Sequence, residues 1–255
     1  MFSKLKSFII SMDYLFANVF LYSQSRAYEV LKDCVYAKVR RLKKEFNLEN
    51  GSVNKSLSIN EKELSIRNRS NSEFAQYSSG YTIEQIPREF VEIISNHRDT
   101  IEKYLGSDFL FGKPLVFRNY NFDLKFRCYD IYSNIWHQDS HDGNRILKIF
   151  ILLHHTSDEH GPFHYLNFKD VKRHWSILRN RWSFPNMKRL PIFEEQMKIT
   201  GEAGDYVILD TSRCSHRASI PSDFRDMAAI TLYPNWRKKN GRQPYVYSSR
   251  TDKLS

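Results

Sequence analysis

Residues 146–154 read Ile-Leu-Lys-Ile-Phe-Ile-Leu-Leu-His, a run of branched and aromatic residues of strand length with no helical spacing. Four further segments have the same texture: Leu115 to Tyr120, Phe122 to Tyr132, Tyr206 to Leu209 and Met227 to Tyr233. Gly, Asp, Asn or Pro separate them. Short strands in succession, with few helices between, predict a mainly β fold of the sandwich or jelly-roll kind.

Working outward, Thr82-Ile83-Glu84-Gln85 has the form of a capping box opening a helix to about Leu105. Pro87 offers a second start, because proline is best tolerated in the first turn. Residues 49–81 are polar, with Asn50-Gly51-Ser52, Asn68-Arg69-Ser70-Asn71-Ser72 and Ser78-Ser79-Gly80, and read as a linker or mobile loop. In residues 1–48 apolar positions recur at helical spacing, as in Phe8, Met12, Leu15 and Val19, then Leu31, Val35, Val39, Leu42 and Phe46. A helical extension is expected there. The run Phe8 to Tyr22 is interrupted by Asp13 and Asn18 and is short for a membrane span, so it reads as amphipathic, with peripheral membrane contact as the lesser alternative.

The chain has 39 Lys and Arg against 29 Asp and Glu, a balance of +10 that favours anionic partners. The basic runs sit near the ends, in residues 38–44 and in the tail 237–255, where solvated faces explain them. No nucleic-acid motif accompanies them, and a specific nucleic-acid partner is not expected. Cys34, Cys128 and Cys214 are far apart and lack CxxC spacing, which excludes a disulfide framework and a zinc knuckle and points to a reducing, cytoplasmic compartment.

Two H-x-D pairs occur, His97-Arg98-Asp99 and His137-Gln138-Asp139. The first falls within the expected helix, where residues two apart point to opposite sides. The second follows the strand-like Phe122 to Tyr132, and extended backbone turns residues two apart to one face. His137 and Asp139 can therefore share an ion. A third ligand should come from a distant strand, and Tyr206 to Leu209 leads into Cys214-Ser215-His216. Two histidines and one carboxylate are a ligand set that suits Fe(II) and leaves coordination positions open.

Five blocks in order extend this pattern: Trp136-His137-Gln138-Asp139, Leu147 to Leu153, Asp158-Glu159-His160-Gly161-Pro162-Phe163, Gly204-Asp205-Tyr206-Val207-Ile208-Leu209-Asp210 before His216, and Arg225. Together they resemble the phytanoyl-CoA dioxygenase group of 2-oxoglutarate oxygenases over about Thr82 to Trp236. The resemblance implies a double-stranded β-helix core in residues 82–236. It also implies Fe(II) held by His137, Asp139 and His216, and the co-substrate 2-oxoglutarate anchored by Arg225. The reaction it implies is hydroxylation of an aliphatic carbon of a small-molecule substrate. A guanidinium suits that anchor, since its fork matches a carboxylate in two bonds. Net charge adds an anionic, lipid-linked or sugar-linked substrate as the expectation, and a non-catalytic jelly-roll binding module is the rival reading.

Two features depart from the group's pattern. Its Pro-Gly-Ser-His segment is replaced by His164-Tyr165-Leu166-Asn167-Phe168-Lys169, and Arg217, adjacent to His216, competes with Arg225 as anchor. Arg225 is preferred because it opens the strand Met227 to Tyr233. His141, His154, His155, His160, His164 and His174 share no spacing and are expected to be structural or surface residues. Trp175 and Trp182 fall seven apart in a helix-like stretch and read as packing residues.

Overall fold

The computed structural model describes residues 46, 48–66, 78–105, 108–121, 136–137, 139, 146–166, 181–182, 196–212, 214–234 and 247–248. Two antiparallel sheets face each other. The larger has nine strands, and its main path runs β1 (Glu49–Ser52), β11 (Asp205–Asp210), β7 (Leu147–Leu152), β13 (Phe224–Pro234), β5 (Leu115–Tyr120), β3 (Ser78–Thr82) and β2 (Ser65–Ile66). On its margin β4 (Phe109–Phe111) pairs the end of β13 and also β14 (Tyr247–Ser248). The smaller sheet runs β10 (Met197–Ile199), β8 (Phe163–Tyr165), β12 (His216–Ala218), β6 (Trp136–His137) and β9 (Arg181–Trp182).

Alternation along the central strands produces two cores. Leu147, Ile149 and Ile151 of β7, with Ala228, Ile230 and Leu232 of β13, turn outward and are buried against Phe90, Ile93, Ile94, Ile101 and Leu105. These belong to two helices, α1 (Arg88–Asn96) and α2 (Arg98–Leu105). Phe150 and Leu152 of β7, Val207 and Leu209 of β11, and Met227 and Ala229 of β13 turn inward to meet Phe163 and Tyr165 of the smaller sheet. Because β7 and β13 are covered on both faces, their sequences are nearly continuous apolar runs.

The helical segment starts late and breaks once. Thr82 is consumed by β3, pairing Leu115, so the Thr82–Gln85 capping box does not form and Pro87 caps α1 without a side-chain bond. His97 ends α1 and its Nε2 lies 2.7 Å from the Tyr206 hydroxyl, which makes it a half-buried junction residue.

Residues 49–81, read from sequence as a linker or mobile loop, contain β1, β2 and β3 of the large sheet. These strands are held by backbone pairing, so their Gly and Ser content does not exclude them. Gly51 lies flat under Tyr206, where a Cβ would come within 2.7 Å of the ring hydroxyl. The expected helices before residue 46, the strand Phe122 to Tyr132, and His141, His174 and Trp175 lie outside the described residues. Trp182 stands in β9, not in a helix.

One buried histidine outside the expected site makes stability pH-dependent. His164, on the outer face of β8, has Nδ1 2.6 Å from Gln196 Oε1, and burial, aided by Arg217 and Lys198 and opposed by that bond, pulls it down to about 4. Its folded-state pKa is thus below the ordinary 6.5. The stabilisation is present above about pH 6.5 and is lost as pH falls through about 4, approaching about 3 kcal/mol. Chemical denaturation at pH 7.5 and pH 4.5 is expected to show a smaller acid loss in His164→Gln than in wild type. Equal losses would remove His164 from the acid response.

Candidate metal centre

His137 and His216 face each other directly across the β6–β12 pair, a register that sets their side chains on one side of the smaller sheet. Their ring centroids are 4.3 Å apart. Asp139, two residues beyond His137, projects to the same side, and its backbone N–H donates to the Thr211 carbonyl at 2.9 Å. The three side chains are buried and offer ligand atoms all within 4.8 Å of one another, the one such group among the described residues. His137 Nε2 to Asp139 Oδ1 is 3.9 Å, and His216 Nε2 to Asp139 Oδ2 is 3.7 Å.

Neighbouring groups set the protonation that a metal needs. His216 Nδ1 lies 3.0 Å from the Cys214 carbonyl, which only accepts, so Nδ1 carries the proton and Nε2 points its lone pair at Asp139. Burial, with His137 beside it, holds His216 down to about 3, and the ring is neutral at neutral pH. For Asp139 burial acts in the opposite sense, but Lys148 first, then His216 and His137, outweigh it and hold the carboxyl well below the usual carboxylate range. A neutral imidazole and an ionised carboxylate are the forms that ligate a divalent ion.

The turn carrying His216 is fastened from both sides. Asp210 accepts from the backbone N–H and the hydroxyl of Ser212 at 2.9 and 2.6 Å, and from the Tyr104 hydroxyl of α2. Cys214 N–H donates to Asp210 O, and Leu166 N–H donates to Ser215 O. Phe163 stacks on the His216 ring with centroids 5.2 Å apart and meets Phe150 from the large sheet at 4.8 Å. The triad therefore sits against the packed space between the sheets.

Arg225 stands on the inward face of β13, in line with Met227 and Ala229. It is 1% exposed. Nη2 donates to Asn119 Oδ1 at 2.7 Å, Nη1 donates to the Gly161 carbonyl, and Nε has no partner. No carboxylate among the described residues offsets its burial, which pulls its pKa down to about 10 and leaves it cationic at neutral pH. Gly161 lies two residues before Phe163, so the guanidinium is tied to the strand whose ring covers His216.

Arg217 goes the other way. Between His216 and Ala218 it turns to the outer face of β12, its guanidinium 5.5 Å from the Trp136 ring centroid.

Gly161 has φ 63°, and a Cβ there would meet the Ile220–Pro221 peptide at 2.5 Å. Gly161→Ala is expected to cost at least about 1–2 kcal/mol for the left-handed backbone alone. Its clash with backbone also displaces the carbonyl that Arg225 uses. Denaturant titration checks the first effect, and wild-type stability would rule it out.

Lys148 is the neighbour of the triad that motif reading missed. It points inward from β7, and its Nζ is 2.7 Å from Asp139 Oδ2. A cation at an inward position of an otherwise apolar strand was the available signal. The remaining described histidines serve local structure: His154 Nε2 accepts from the Asp226 N–H, His155 pairs Glu202, and His160 Nδ1 accepts from the Ser157 N–H. An open depression of about 470 Å³ beside them, lined by residues that include His155, Asp158 and Lys198, touches none of the triad.

No family model and no curated protein sequence matches this chain. Among solved structures it is similar to the nickel complex of the non-heme monooxygenase ThoJ, at 18% identity and a TM-score of 0.33, over 53% of this chain and 49% of that one. It is similar to the epimerase SnoN in complex with Fe3+, alpha ketoglutarate and nogalamycin RO, at 14% identity and 0.41, over 81% and 75%. It is also similar to EctD from S. alaskensis with bound Fe, at 15% identity and 0.43, over 69% and 62%. The chain thus spans about half the length of ThoJ.

Proposed function

We propose that this protein is a mononuclear non-haem iron(II) oxygenase that uses 2-oxoglutarate, built on a double-stranded β-helix of the phytanoyl-CoA dioxygenase kind. The observation that carries the proposal is the buried triad of His137, Asp139 and His216, accompanied on the inter-sheet face by a buried guanidinium with no carboxylate partner among the described residues. The donor set fits Fe(II): two imidazole nitrogens and one carboxylate oxygen would occupy one face of the ion. The guanidinium of Arg225, whose Nε has no partner among the described residues, fits the distal carboxylate of a dicarboxylate co-substrate.

When bound, the iron with 2-oxoglutarate and oxygen supplies the oxidising chemistry, in which decarboxylation to succinate accompanies hydroxylation of an aliphatic carbon. The protein's own work is positional. His216 is held by Cys214 with Nε2 forward, Asp139 is held ionised by Lys148, and Arg225 fixes the far end of the co-substrate. Phe150, Phe163, Leu152 and Met227 keep the inter-sheet space apolar, which shields a reactive centre and limits the poses of a bound substrate.

The substrate we infer is a small anionic molecule, lipid- or sugar-linked molecules included, on the strength of the chain's charge. A cytoplasmic setting follows from its cysteine usage, and no helix among the described residues is long and apolar enough to cross a membrane. A non-catalytic binding module has no use for a complete, buried ligand set, and that weighs against it. The deciding experiment is a metabolite screen that reads succinate release with Fe(II) and 2-oxoglutarate supplied. Substrate-dependent succinate supports the proposal, and a chain that binds neither Fe(II) nor 2-oxoglutarate overturns it.

A further inference from the structure

We infer that Lys148 is a positioning residue for the metal centre: by holding Oδ2 of Asp139 it keeps the carboxylate a single-oxygen ligand and so preserves an open position on the ion. The inference rests on the metal reading above.

A carboxylate beside a divalent ion can bind through one oxygen or through both. The second mode occupies one more position, which this centre needs for its co-substrate. In the structure the choice is constrained by β7. Lys148 lies between Leu147 and Ile149, both fully buried on the helix side, so its own side chain is directed between the sheets. There its Nζ donates to Asp139 Oδ2 at 2.7 Å, a charge-assisted bond of ordinary strong geometry. Asp139 is anchored from behind as well, through its N–H to Thr211. Backbone and ammonium together leave the carboxylate little freedom to rotate toward chelation.

Removing the ammonium changes that balance. A buried carboxylate oxygen without a donor is costly, and the nearest replacement partner is the bound ion itself. The ammonium also repels a divalent cation, so its loss favours metal entry. Lys148 therefore gives up metal affinity and keeps coordination open.

Mn(II) is a suitable probe because bound Mn(II) speeds water-proton relaxation in proportion to the waters it holds. An octahedral ion with three protein ligand atoms keeps about three waters, and with a chelating carboxylate about two. Lys148→Met in the full chain is expected to bind Mn(II) about tenfold tighter or more, with relaxivity per bound ion lower by about a third. Lys148→Arg, which still donates to Oδ2, is expected to keep wild-type relaxivity. Lys148→Gln keeps a donor and loses the charge, and is expected to tighten binding with a smaller change in relaxivity. It serves as the test where the apolar variant does not fold.

A merely structural role for Lys148 moves folding stability and leaves the water count alone. Wild-type relaxivity in Lys148→Met, or in its absence wild-type relaxivity in Lys148→Gln, overturns the inference while leaving the metal reading intact. Failure of the wild-type chain to bind Mn(II) at the triad overturns both.

Discussion

Arg225→Ala is expected to weaken 2-oxoglutarate binding by about ten- to a thousandfold while leaving metal affinity nearly unchanged. On the proposed reading the lost interaction is a charge-assisted, two-pronged bond to a carboxylate in a dry setting. Such bonds contribute about 1.5 to 3 kcal/mol, truncating one partner of a buried pair costs roughly 3 to 5, and about 1.4 corresponds to tenfold. Arg225→Lys should recover part of the loss, because an ammonium keeps the charge and not the fork. Arg217→Ala is the control, since that guanidinium sits over Trp136 on the far side of β12. Calorimetric titration of the metal-loaded variants reads all three. Weaker binding in Arg217→Ala with none in Arg225→Ala would place the anchor on the wrong arginine.

The same residue separates function from stability. In the protein without co-substrate Arg225 is buried with no counter-ion among the described residues, where Asn119 and Gly161 receive its protons. Removing it relieves a desolvation cost and loses those two bonds, opposing effects of similar size. Stability is therefore expected to move by no more than about 1–2 kcal/mol, far less than breaking a compensated buried ion pair. A small stability change beside a large loss of 2-oxoglutarate affinity is the result expected if Arg225, enclosed near the start of β13, takes its counter-ion from the co-substrate.

How much of this was legible in the sequence depends on what each strand buries. β7, β11 and β13 fill both cores, so their apolar runs announced them to within a few residues. β6 and β12, which carry His137 and His216, are two and three residues long and were invisible to hydrophobic pattern. Metal-ligand spacing found their histidines instead. β1 to β3 are polar and depend on partners distant in sequence, such as Gly51 against Tyr206, so local composition misread them. The Thr82–Gln85 box failed for a related reason: strand pairing with Leu115 took Thr82 before the helix began. Lys148 was within reach, since strand alternation turns it inward between Leu147 and Ile149. A single lysine in an apolar run is simply easier to pass over than an H-x-D motif.

Replacing the triad is the other large effect. His137→Ala, Asp139→Ala and His216→Ala are each expected to abolish stoichiometric Fe(II) binding. Loss of a direct ligand should exceed the roughly ten- to hundredfold cost of losing an outer-shell partner. The three variants differ without metal, and the difference tests the geometry independently. His137→Ala gives up the ring contact with His216, whose centroid lies 4.3 Å away. His216→Ala gives up the bond to Cys214 and the stack on Phe163, so it is expected to be measurably less stable. Asp139→Ala takes the carboxylate from Lys148, whose side chain keeps 22% of its exposure, and should cost up to about 3 kcal/mol, less than breaking a fully buried pair. In Asp139→Ala, Lys148→Met as a second substitution should restore much of that loss without restoring metal binding. Metal titration with circular dichroism, followed by denaturation of the apo variants, gives both readouts. Undiminished Fe(II) binding in all three single variants would move the metal centre elsewhere in the chain.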